Sequence, residues 1–178
     1  MLHAAGIEHE HSRSDRDDYI RLVKENLGNN INDINLAKED TFVRNPYDYE
    51  SVMHYHLKEF TINGKQTIEF KDRDLEFLAA TGAGEGMDFY DVKDVVVNYQ
   101  CAAHCKNPPK CINGGFVNHN CVCYCPRGYT GKTCETVITD DGCGGMVHVF
   151  PGSDVFVISP GYPVSYPLGI NCRWSVKV

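Results

Sequence analysis

Every one of the nine cysteines lies between positions 101 and 178. They stand at Cys101, Cys105, Cys111, Cys121, Cys123, Cys125, Cys134, Cys143 and Cys172. Thiols at this density belong to an oxidising compartment or to a metal cluster. Six crowd into the stretch from Cys105 to Cys134, Cys143 and Cys172 form a later pair, and Cys101 is left over. A stretch of about 30 residues has too small a core to hold itself together and needs covalent staples. Six cysteines allow fifteen pairings, so spacing does not choose one. A zinc knot on Cys121, Cys123 and Cys125 is the metal alternative. Its spacing is awkward for one tetrahedral ion, which usually takes C-x2-C. The odd cysteine reads as a free thiol or as one whose partner lies outside this sequence.

The 178 residues suffice for one or two ordinary domains. A net charge of −7 with scattered Lys and Arg argues against a nucleic-acid partner. The longest apolar runs, such as Val155-Phe156-Val157-Ile158, are strand-length and too short to span a membrane. Met1 is not followed by the basic region and apolar core of a signal peptide.

Near the start stands His3-x-x-Gly6-x-x-His9. In a continuous helix these two imidazoles would lie on different faces. Glycine removes the penalty for a left-handed turn, so a helix can stop at Gly6 and swing His9 back toward His3. Neutral imidazoles brought together suit zinc, in a site left open for water when it is catalytic. Histidine also serves as switch, base or plain structural residue, so the pair alone does not establish a metal site.

Farther on, residues 15–27 are charged and mixed. Ile20, Leu22 and Val23 are placed to pack, while Asp17, Asp18, Lys24 and Glu25 face water. Residues 26–35 are rich in Asn and read as loop. Asn63-Gly64-Lys65 between Phe60-Thr61-Ile62 and Gln66-Thr67-Ile68 predicts a β-hairpin. Thr81-Gly82-Ala83-Gly84-Glu85-Gly86 follows no apolar strand and lacks the lysine of a phosphate-binding loop, so it reads as plain loop. A helix follows. Asp88 and Asp91 make a capping-box-like pair, and Val92, Val95, Val96 and Tyr99 share one face. The helix is expected to end near Cys101.

The first stretch resembles the second part of the metzincin signature H-E-x-x-H-x-x-G-x-x-H. Its continuation, His9-Glu10-His11-Ser12-Arg13-Ser14-Asp15-Arg16-Asp17, resembles the astacin family. Tyr47-Asp48-Tyr49-Glu50-Ser51-Val52-Met53-His54-Tyr55 resembles the astacin Met-turn. The resemblance implies that His3 and His9 are the second and third zinc ligands. The first histidine and the general-base glutamate are expected just before Met1. Met53 would lie beneath the zinc as an apolar floor, and Tyr55 would stabilise the transition state, a role open to a phenol facing a developing oxyanion. Glu10 would anchor the freed N-terminus through water; its plainer reading is a carboxylate paired with Arg13 or Arg16. His11, His54 and His56 are not expected to be ligands: His54 is read as a hydrogen-bonding partner under the Met-turn, His56 as a surface residue. The resemblance gives Cys101 a partner in an N-terminal segment. Where the family usually has Gln-Arg before the last helix, this chain has residues 83–85, so no preference for acidic substrates carries over.

Cys123 to Cys134 and Asn113-Gly114-Gly115-Phe116 resemble an EGF-like module, which implies Cys105–Cys121, Cys111–Cys123 and Cys125–Cys134 bonds. Cys143-Gly144-Gly145, Ile158-Ser159-Pro160-Gly161-Tyr162-Pro163 and Cys172-Arg173-Trp174 resemble the start of a CUB domain, with Cys143 bonded to Cys172. The expected class is α+β. Residues 1–101 would be the C-terminal part of a peptidase domain, 102–135 an EGF-like module, 136–142 a linker and 143–178 the start of a β-sandwich. Astacin, EGF and CUB units in that order are common among nematode astacins. The implied function is a secreted zinc metalloendopeptidase acting on extracellular proteins, collagen or cuticle among them. The alternative is a non-enzymatic matrix-binding protein with a vestigial metal site. The chain as written lacks the first histidine and the general base and is expected to be inactive by itself.

Overall fold

The structure is a computed structural model that describes residues 2–28, 37–39, 44–79 and 86–178. The chain divides into two compact units, Met1–Tyr99 and Gln100–Val178.

The core of the first unit is built on two short strands. Strand β1 (Ile20–Leu22) pairs antiparallel with β2 (Ile68–Phe70), setting Ile20 against Phe70, Arg21 against Glu69 and Leu22 against Ile68. Alternation sends Ile20, Ile68 and Phe70 inward, where all three are buried with Tyr47. Burying such a side chain contributes about 1.5–3 kcal/mol. The opposite face carries Arg21, whose guanidinium donates to Glu69 at 2.5 Å. Two strands alone are marginal in water. Aromatic packing adds to them: Tyr19 stacks on Tyr47 at 4.7 Å, and Tyr49 meets Phe70 at 4.5 Å.

The hairpin predicted around Asn63-Gly64 does not form. The turn itself is present: Lys65 N–H donates to Asn63 Oδ1 at 3.0 Å, and Gly64 has φ +76°. Its flanks, however, pair elsewhere. Thr61 bridges Leu27, and Ile68 pairs with Leu22. The amides of Thr67 and Ile68 both donate to the Leu57 carbonyl, at 2.7 and 3.1 Å. Burial decides the outcome. Ile68 and Phe70 gain a buried face against β1, whereas Phe60 and Ile62 stay 41% and 67% exposed. Asn26 is not loop either. It closes a 3-10 turn (Lys24–Asn26) and donates from Nδ2 to the Gln66 carbonyl at 2.6 Å. Residues 29–35 of that expected loop, and residues 81–85 of the glycine-rich one, lie outside the described residues.

Helix α1 (Phe89–Asn98) begins at a complete capping box. Asp91 N–H donates to Asp88 Oδ1 at 2.9 Å, and Asp88 N–H donates to Asp91 Oδ2 at 3.1 Å. The valine face is less buried than its pattern suggests. Val92, Val95 and Val96 are half-buried, while Tyr99 is 60% exposed and donates its hydroxyl to the Ala5 carbonyl. The buried residue of α1 is Asp91, 4% exposed. Among the described residues no helix is long and apolar enough to cross a membrane.

In the second unit, disulfides join Cys105 to Cys121, Cys111 to Cys123, Cys125 to Cys134 and Cys143 to Cys172. Cys101 is free. Strand β3 (Phe116–Val117) pairs antiparallel with β4 (Cys123–Tyr124), and β5 (Tyr129–Thr130) with β6 (Thr136–Val137). Phe116 and Cys134 are the buried centre. Gly115 must be glycine here, because a Cβ would lie 2.6 Å from Cys134 Sγ. Strands β7 (Gly145–His148) and β8 (Trp174–Lys177) run parallel. The apolar run Val155-Phe156-Val157-Ile158 forms no strand and is exposed, Phe156 to 85%.

Candidate metal centre

A 3-10 turn (His3–Ala5) closes at Gly6, whose N–H donates to the His3 carbonyl at 3.0 Å. Gly6 has φ +68°, and nothing lies within 4 Å of where its Cβ would be. The requirement for glycine is therefore one of backbone conformation, not of space. The reversal brings His9 round until its Nε2 lies 3.2 Å from His3 Nε2.

The other ring nitrogens explain which atoms face each other. His3 Nδ1 donates to the Ile7 carbonyl at 3.1 Å, and His9 Nδ1 to the Met53 carbonyl at 2.9 Å. A carbonyl accepts only, so each Nδ1 carries the proton and each Nε2 presents a lone pair. Two lone pairs at this distance repel unless a cation lies between them. Ligands 2.0–2.1 Å from one tetrahedral zinc sit about 3.3 Å apart. The donor set therefore fits zinc.

Residues 51–55 form the wall beside His9. Met53 is buried, and its carbonyl accepts from both His9 Nδ1 and the Glu10 amide, the latter at 3.2 Å. The contribution visible here is thus the Met53 backbone oxygen. The ring of Tyr55 lies 4.5 Å from the His9 ring and 3.9 Å from that of His11. His11 is wholly buried and takes the Tyr55 amide on Nδ1 at 3.4 Å. His54 donates from Nδ1 to the Tyr55 carbonyl at 2.6 Å and accepts the Tyr47 hydroxyl on Nε2 at 2.9 Å. Burial pushes His54 down to about 4, which keeps it neutral in this role. His56 is exposed.

Glu10 turns away from the two imidazoles. Its Oε1 accepts from Arg13 Nη1 and from the Asp48 amide, both at 2.7 Å. Burial pushes its carboxyl up to about 7 against the pull of Arg13. Arg16 is not its partner and donates instead to the His11 carbonyl at 2.9 Å. Arg13 uses all five of its N–H groups, on Asp15, Glu10 and the carbonyls of Asn45 and Pro46. It thereby ties the histidine loop to the segment leading into the Met-turn. A cavity of about 260 Å³ opens beside Glu10, lined also by Ile7, His9, Asn45 and Asp94.

Asp48, Asp88 and Asp91 place carboxylate oxygens within 4.8 Å of one another. Asp48 is buried, and its Oδ2 has no hydrogen-bond donor among the described residues. Burial, then the Asp88 carboxyl, raises the Asp48 pKa well above the usual carboxylate range, and Glu10 adds to the effect. A proton retained by Asp48 relieves the repulsion between the neighbouring carboxyls. In the unfolded chain the same group ionises near 3.9. The folded state then binds more protons above that pH, so stability falls as pH rises toward the raised value. Asp48→Asn is expected to flatten this slope, measured by urea unfolding from mildly acidic pH up to the raised value. Equal slopes in variant and wild type would contradict the retained proton.

The sequence points to His3, His9, Met53, Tyr55 and Glu10, and all five lie around this wall. Sequence reasoning missed the Met53 carbonyl, Arg13 as a tie and Asp91 as more than a helix cap. A signal was present for Arg13, in the run of charged residues after His9, but its partners at Asn45 and Pro46 are distant in sequence.

Comparison with known proteins places this geometry in context. A family model described as Astacin, a peptidase family, matches residues 1–100. Zinc metalloproteinase nas-36 of Brugia malayi is 32% identical over 183 residues, covering 98% of this chain and 31% of that protein. Zinc metalloproteinase nas-23 of Caenorhabditis elegans is 37% identical over 142 residues, covering 77% of this chain and 26% of that protein. Among solved structures, high choriolytic enzyme 1, a hatching enzyme zinc-protease from Oryzias latipes (medaka fish), is 35% identical. It covers 56% of this chain and 48% of that chain, with a TM-score of 0.49. The chain spans about a third of the length of the curated relatives it matches.

Proposed function

The chain belongs to the astacin family of peptidases, and on that premise we propose that it is part of a secreted zinc metalloendopeptidase acting on extracellular proteins. The observation that carries the reading is the 3.2 Å approach of His3 Nε2 and His9 Nε2, each turned lone pair first by a carbonyl on Nδ1. When bound, zinc supplies Lewis-acid polarisation of a peptide carbonyl and activation of water.

His3 and His9 hold the ion in this proposal, and the first histidine and the general-base glutamate of the motif precede His3. Tyr55 donates its phenolic hydrogen to the oxyanion that develops on the scissile carbonyl. Glu10 anchors, through water, the ammonium group of a processed N-terminus in the cavity beside it. That role is supported by its burial and by the acidic Asp94 on the same wall. Residues 102–135 are an EGF-like module and 143–178 the start of a CUB domain, readings supported by the three disulfides among residues 105–134 and by the Cys143–Cys172 bond. Collagen or cuticle proteins are the substrate class such a secreted protease would process.

The test is a peptide library incubated with excess zinc. The 178-residue chain is assayed beside one extended upstream to a complete motif. Only the extended chain is expected to hydrolyse peptides, and a chelator should stop it. Equal, chelator-sensitive hydrolysis by both would show that the general base lies elsewhere. No hydrolysis by either would favour the non-enzymatic matrix-binding reading.

A further inference from the structure

The Asp91 carboxylate does more than cap α1. Its Oδ1 accepts the Ser51 hydroxyl at 2.7 Å, and its Oδ2 accepts the Val52 amide at 3.1 Å. The Ser51 oxygen in turn accepts the Met53 amide at 3.0 Å. One carboxylate thus holds two consecutive amides of the Met-turn, one directly and one through a hydroxyl. The Ser51 carbonyl, in one peptide plane with the Val52 amide, accepts the His54 amide at 3.0 Å, and the Met53 carbonyl in that next plane accepts from His9 Nδ1 at 2.9 Å. Asp91 and Ser51 are both buried, so water does not substitute readily for these bonds.

We infer that Asp91 is a positioning residue for His9, acting through Ser51 and the Met53 carbonyl. A peptide plane held at its N–H cannot rotate freely: Asp91 holds the Ser51–Val52 plane at the Val52 amide, and the carbonyl of that plane holds the Met53–His54 plane at the His54 amide. With the Met53 carbonyl fixed, the His9 proton stays on Nδ1 and Nε2 remains a ligand. With it loose, the proton is free to move to Nε2 and block the lone pair. An Asp at the third position of α1 therefore links the start of the helix to the tautomer of an imidazole far away in sequence. Helix capping alone would need only the bond to the Asp88 amide, and Asp91 Oδ2 already makes it at 3.1 Å. Partners that orient a metal-binding histidine in this way typically account for about 10- to 100-fold in metal affinity.

The role rests on the reading of His3 and His9 as zinc ligands; the tautomer does not. Long-range proton–nitrogen correlation spectra of the metal-free, 178-residue chain read it directly. The pH is held well above the ordinary histidine pKa of about 6.5. Wild type should show His9 protonated on Nδ1, and Asp91→Ala should show Nε2 protonation. Ser51→Ala, which leaves the helix cap and the Val52 bond in place, should shift His9 the same way. Asp88→Ala, which removes the cap but leaves the Asp91 bonds to Ser51 and Val52 in place, should not. Zinc competition against a chromophoric chelator should then show a loss of about 10- to 100-fold in Asp91→Ala and Ser51→Ala. An unchanged tautomer in both variants would overturn the inference, as would unchanged zinc affinity beside a shifted tautomer. A wild-type chain that binds no zinc but shows the Asp91-dependent tautomer would refute the zinc reading and leave the positioning intact.

Discussion

Tyr55→Phe is expected to lower kcat by about 10²- to 10³-fold, the usual cost of one lost oxyanion donor. The measurement requires a chain carrying the complete motif. Phenylalanine keeps the ring that packs 4.5 Å from His9 and 3.9 Å from His11, so the wall of the site should survive. Only the hydroxyl is removed. Steady-state kinetics should therefore show kcat falling with KM little changed. A KM increase with unchanged kcat would mean that Tyr55 binds substrate and does not act in the transition state.

The second large effect is structural. Replacing Cys125 and Cys134 together by serine is expected to cost about 2–5 kcal/mol in the disulfide-rich segment. Cys134 is wholly buried, and the backbone at Gly115 approaches it so closely that even a methyl group is excluded. The strands on either side are two residues long and hold little by themselves. Thermal unfolding and limited proteolysis of the 178-residue chain should both report the loss. Wild-type protease resistance in the double variant would show that the other staples suffice.

How much of this is legible in the residues depends on the distance over which each feature is decided. Gly6 between two histidines can be read directly, because a left-handed turn is a property of one residue. The capping box at Asp88 and Asp91 spans a single helical turn and is equally readable. Asn63-Gly64 misleads because turn chemistry is local, whereas strand pairing is settled by which apolar face can be buried. Ile68 and Phe70 find theirs against Ile20, far earlier in the chain. Disulfide connectivity is not readable from spacing, since it depends on which sulfurs meet in the folded state. The same holds for the second partner set of Asp91. Nothing near it in sequence indicates that its carboxylate reaches Ser51 and Val52. The roles proposed for His3, His9, Met53 and Tyr55 come from the family resemblance, and composition could not have suggested them.

Zinc binding by the chain itself tests the central claim most directly. Wild type, His3→Ala and His9→Ala are titrated against a chromophoric chelator of known zinc affinity. The account predicts that wild type takes up a single zinc. It also predicts that each alanine variant loses more than the roughly 10- to 100-fold that a supporting residue would cost, because a ligand itself is gone. Wild-type zinc affinity in both variants would contradict it.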